Sequence, residues 1–155
     1  MRASTIFAAV IACVSSAAAL TMQIASTSSY HWAVADWNTD CEGLGCSYDF
    51  NVTGAANTTS KPPRIAFKAS CSGQSEDGSY RICTKLDQEE TDHQVVAMAL
   101  PRNGNGSIES SPLQIQISLK YTDPVTPSTW WNYTGNALAN GKDFKITPSS
   151  LGSAA

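Results

Sequence analysis

Charge is scarce in this sequence. Only 15% of its 155 residues are Asp, Glu, Lys or Arg, and the 10 basic side chains form no cluster against 13 acidic ones. A formal net charge of -3 without a basic patch or phosphate clamp argues against nucleic acid or an anionic membrane surface as the main partner. Histidine is scarcer still, with only His31 and His93, and no G-x-S-x-G elbow is present, so the base and nucleophile of a hydrolase have little to draw on. The longest apolar run, Thr5 to Val14, is about half the roughly 20 residues that a membrane span needs. No window sustains a helical period, and no segment repeats. The length suits one domain with its own core.

What is present at the start is Met1-Arg2, then the apolar stretch, then the small residues Ser15 to Ala19, the pattern of a secretory signal peptide over 1–19. Cleavage before Leu20 removes Arg2, leaving nine basic against 13 acidic side chains, and it also removes Cys13. The five cysteines become an even four, Cys41, Cys46, Cys71 and Cys83, as suits bridges in an oxidising compartment. Of the three pairings, local closure favours Cys41 with Cys46 and Cys71 with Cys83. Gly43 and Gly45 loosen the first loop, and Gly73 and Gly78 let the second turn back. Zinc is disfavoured because the spacings are not C-x2-C pairs, so no metal and no cofactor is expected. Glycosylation triplets stand at Asn51, Asn57, Asn105 and Asn132, and Asn51 falls on the polar phase of its segment, where a glycan would leave the core intact.

Apolar residues recur with period two. Leu113 to Tyr121 alternates over nine residues, putting Leu113, Ile115, Ile117, Leu119 and Tyr121 on one face. Similar segments at 30–37, 47–53, 65–71, 79–86, 94–100, 129–134 and 143–147, separated by Gly, Pro and Asn turns, predict about eight or more short strands in an antiparallel barrel or sandwich. Asn140-Gly141 predicts a tight hairpin turn, and the small, polar end, 148–155, is expected to be disordered. The single domain is thus expected over 20–147.

Few constellations offer chemistry. Asp36, Asp40, Glu42 and Asp49 crowd one region, as the two carboxyls of a glycosidase must, yet exposed acids around a disulfide loop are ordinary. The alternating oxygens of Asp36 to Glu42 resemble a calcium loop, but positions six and twelve are Cys41 and Ser47, not glycine and glutamate, and only a looser calcium site stays open. Asp92-His93 reads as the charged beginning of a strand. Trp130-Trp131-Asn132-Tyr133 is the densest aromatic patch, so Trp130, Trp131 and Tyr133 are the candidate binding surface, with one side of the strand in the core. Trp32 and Trp37 fall on opposite strand phases.

The order of Trp32-Ala-Val-Ala-Asp-Trp37, Cys41 to Cys46, Ser47-Tyr48-Asp-Phe50-Asn-Val52, Phe67-Lys-Ala-Ser-Cys71-Ser72 and Tyr80-Arg-Ile-Cys83 resembles the Alternaria major-allergen family of secreted fungal proteins over most of residues 30–121. Phe67, Cys71, Ser72 and Cys83 hold the places of that family's F-x-C-S-like strand and its partner cysteine. The resemblance implies a compact antiparallel β-barrel or sandwich, no enzyme activity, and action as an allergen, elicitor or effector. Members carry further cysteines, whereas this chain has none after Cys83 and none between the predicted cleavage point and Cys41, which argues against a disulfide-linked dimer. The expected protein is a secreted, non-enzymatic monomer or non-covalent oligomer whose partner is a host extracellular protein. A small module binding cell-wall glycan through exposed aromatics is the alternative.

Overall fold

The computed structural model describes residues 30–42, 45–76, 78–88, 92–100 and 112–154. The expected signal peptide, residues 20–29 and the sequon at Asn105 lie outside the described residues.

Alternation of apolar and polar residues forces an extended chain to bury one side, and ten strands result: β1 (Trp32–Glu42), β2 (Gly45–Gly54), β3 (Phe67–Gln74), β4 (Arg81–Ile82), β5 (Thr84–Lys85), β6 (His93–Ala99), β7 (Gln114–Thr122), β8 (Trp130–Leu138), β9 (Phe144–Ile146) and β10 (Pro148–Ala154). They form two five-stranded sheets, ordered β5-β3-β2-β1-β9 and β10-β8-β7-β6-β4, and every pairing is antiparallel. Between them lies one core, with Trp32, Val34, Phe50 and Val52 from the first sheet and Ile115, Ile117, Leu119 and Tyr121 from the second. Tyr48 donates its hydroxyl to the Ala97 carbonyl across the sheets at 3.2 Å.

Two short links carry the chain from sheet to sheet. Only Cys83 separates β4 in the second sheet from β5 in the first, so the strand expected over 79–86 divides at that residue. Likewise only Thr147 separates β9 from β10. The expected Asn140-Gly141 hairpin is therefore corrected: β8 and β9 belong to different sheets, and 139–143 is a crossover in which Gly141 adopts a φ of 81°. The tail is corrected as well. Instead of being disordered from 148, Pro148–Ala154 pairs with β8 through Pro148↔Gly135 and Ala154↔Trp130. Small residues gave no apolar alternation there, but backbone pairing needs none, and Pro148 stands at a strand's first residue, where its missing N–H is tolerated.

Trp32 and Trp37 both point inward despite their opposite phases, because β1 slips register between Ala35 and Asn38. Asp36 and Trp37 together oppose Phe50, and Asp36 takes a φ of 57°. The bulge turns the second indole into the core, 5.4 Å from the Phe50 ring. One row of the sheet also depends on a missing side chain. Gly54 lies between Trp32 and Phe67, a Cβ there would overlap the Phe67 ring, and through that space the ring meets Trp32 edge-on at 5.6 Å.

Candidate functional site

The disulfides determine where the chain is held. Cys41–Cys46 closes the tip of the β1–β2 hairpin, and Cys71–Cys83 ties β3 to the point where the chain leaves one sheet for the other. Both pairings are those that local closure favoured. Cys83 donates its backbone N–H to the Val95 carbonyl at 2.9 Å, and Leu86 donates to the Lys68 carbonyl at 2.8 Å, so the crossing segment is bonded to both sheets within four residues.

A cavity of about 240 Å³ opens beside this crossing, lined by Ala69, Cys83 and Val95 at its apolar floor and by Ile82, Lys85, Asp92, His93 and Gln94 around it. His93 begins β6 on the inward phase opposite Tyr121. Its side chain is only 1% exposed, with Nε2 3.3 Å from Asp87 Oδ2, while Lys85 Nζ lies 3.6 Å from Asp87 Oδ1. Asp92-His93 is thus the beginning of a strand, as its charge suggested, and the imidazole there is buried against a carboxylate. An imidazole so placed could exchange a proton, yet the sulfur atoms at the cavity are joined as a disulfide and supply no thiolate. Among the described residues, no three His, Cys, Asp or Glu side chains converge as metal ligands do.

Exposed apolar groups concentrate on the same crossing segment. Ile82 is 71% exposed, Leu86 45% and Tyr80 44%; the other exposed large apolar side chains among the described residues are Val125 and Leu138. Tyr80 is fixed by donating its hydroxyl to Gln116 Oε1 at 2.7 Å.

The aromatic patch separates by strand phase. Tyr133 is buried, stacked on Tyr121 at 6.1 Å, and Trp131 packs against the core while donating its indole N–H to Asp123 Oδ2 at 2.7 Å. That bond holds the Asp123 carboxyl below the usual range, helped by the N–H groups of Val125 and Thr126 and opposed by burial. Tyr133 is therefore packing and not surface, Trp131 is half-buried against the core, and Trp130 turns to the outer face, with Lys120 Nζ 4.5 Å from its ring centroid.

The remaining candidates are scattered. Asp36, Asp40, Glu42 and Asp49 are all exposed, and two accept amide bonds, Asp36 from Asn51 Nδ2 at 3.1 Å and Asp49 from Asn38 Nδ2 at 3.0 Å. His31 is exposed as well. Asn57 sits in an exposed turn, its Oδ1 accepting from Thr59 and Ser60, whereas Asn132 is half-buried on β8. Sequence reasoning missed the cavity because its lining comes from three separate segments that only sheet packing brings together. No helix among the described residues is long and apolar enough to cross a membrane. No protein-family model, curated protein or solved structure matches the chain.

Proposed function

We propose that the protein is a secreted, non-enzymatic effector or elicitor of the allergen-like kind, and that it engages an extracellular host protein through the crossing segment Tyr80 to Leu86. The observation that carries this reading is the exposure of Tyr80, Ile82 and Leu86 along one short segment that Cys71–Cys83 pins, with Ile82 also lining the cavity beside it. A protein contact takes most of its affinity from a few apolar anchors held rigidly, because ordering them on binding then costs little. At about 240 Å³ the cavity is smaller than the roughly 300–1,000 Å³ of small-molecule sites and suits one partner side chain. The glycan-binding alternative rests mainly on Trp130, since Tyr133 is buried and Trp131 is half-buried against the core.

The test is a leaf-infiltration response to purified protein, with circular dichroism as the check on folding. Ile82→Asp should keep the spectrum and reduce the response at least tenfold, as removal of an anchor worth about 2 kcal/mol implies. An unchanged response, or loss of polysaccharide retention in Trp130→Ala, would favour the wall-associated reading instead.

A further inference from the structure

On the outer face of the second sheet, Trp130, Asn132 and Thr134 stand in line along β8, because alternate residues of a strand share a side. Asn132 and Thr134 are the first and third residues of an acceptor triplet, so the indole lies two residues before the acceptor and on the same face. A hydrogen-bond chain orients the amide. Thr134 Oγ1 and Ser118 Oγ are 3.3 Å apart, and Ser118 Oγ donates to Asn132 Oδ1 at 2.6 Å. The carbonyl oxygen is thereby engaged, and Nδ2, the atom that receives a sugar, is the other end of the same amide. Asn51 differs, since its Nδ2 already donates to Asp36. Opposite Asn132 on β10 is Gly152, which offers no side chain to obstruct a substituent.

We propose that Asn132 carries an N-linked oligosaccharide whose first N-acetylglucosamine lies against the indole of Trp130. This rests on the secreted reading. The donor is a polyprenyl-diphosphate oligosaccharide: its C1–O bond to diphosphate breaks, a C1–N bond to Nδ2 forms, the amide gives up one proton, and the lipid diphosphate leaves. Residues two apart on a strand are separated by about 6.7 Å, which places the sugar ring within reach of the indole face. The axial C–H groups of a β-linked pyranose carry partial positive charge, and the aromatic face is negative. The Lys120 ammonium, reaching diagonally from the position opposite Asn132, already lies over one face of that ring, so the sugar takes the other face or displaces it. Trp130 then serves as a platform for the protein's own glycan rather than for a foreign one.

The experiment is secretion of the full chain from yeast, trimming with endoglycosidase H to one sugar per site, peptide mass mapping, and thermal melting. Asn132 should be occupied, and the single sugar should raise Tm by about 2–6 °C relative to Asn132→Gln. In a Trp130→Ala background that difference should vanish, and in Trp130→Phe part of it should return. Occupancy at Asn57 with Asn132 empty overturns the proposal while secretion stands, and so does an equal Tm shift in Trp130→Ala. Cell-retained protein with residues 1–19 attached and no sugar at any triplet sinks both readings.

Discussion

A single buried phenol sets the expected response to alkali. Tyr121 is buried, stacks on Tyr133 and donates its hydroxyl to the Pro63 carbonyl at 2.7 Å. Burial, reinforced by Tyr133, Tyr30 and Asp123, pushes its titration well above the ordinary value. In the unfolded chain a tyrosine loses its proton near pH 10. Above that pH the unfolded state holds fewer protons than the native one, so the stabilisation present below pH 10 declines as pH rises, by at most about 1.4 kcal/mol per unit for one group. Denaturant midpoints between about pH 9 and 11 should show a shallower fall in Tyr121→Phe than in the unaltered protein. Equal slopes would place the sensitivity elsewhere, with Tyr30, whose phenol burial also raises, the next residue to replace. Residue-level features divide sharply in their legibility. The inward positions of β7 follow directly from alternation, whereas Trp37 was unreadable because one extra residue, Asp36, reverses the phase, and nothing in composition announces a bulge.

At the scale of strands, periodicity reveals that a segment is extended but not which sheet it joins. Residues 79–86 read as one strand and are two, and the small residues of β10 gave no pattern although their backbone completes the edge of β8. The candidate site inherits that limit. Its cavity, the buried His93 beside Asp87 and the exposed Ile82 all depend on β4 and β5 dividing at Cys83. The bridges differ correspondingly in weight. Cys71–Cys83 spans 12 residues and Cys41–Cys46 spans 5, so the former removes more unfolded-state freedom. Replacing both cysteines of the longer bridge by alanine should cost about 2–4 kcal/mol, and the shorter bridge less, measured by urea unfolding. Hydrogen exchange should quicken at Cys83 and Leu86 only when the longer bridge is removed. Quickening on loss of Cys41–Cys46 instead would show that the crossing segment is held from the hairpin side.

For the whole molecule, the all-β class with antiparallel pairing and two local bridges was legible, because apolar alternation and cysteine parity are carried by composition and order alone. The interleaving of the chain was not legible. The first sheet takes four strands from residues before 100 and β9 from the end, and the second takes β4 and β6 from before 100 and three strands from after it. Both disulfides lie in the first portion. A single peptide-bond cut between 101 and 111 therefore yields two pieces with no covalent link, each holding strands that complete the other's sheets. The pieces should co-elute on gel filtration, separate in denaturant and recombine when it is diluted away. Elution as two species without denaturant would contradict this. The gene, split at that point, would encode a pair of complementing fragments, neither of which has a full core by itself.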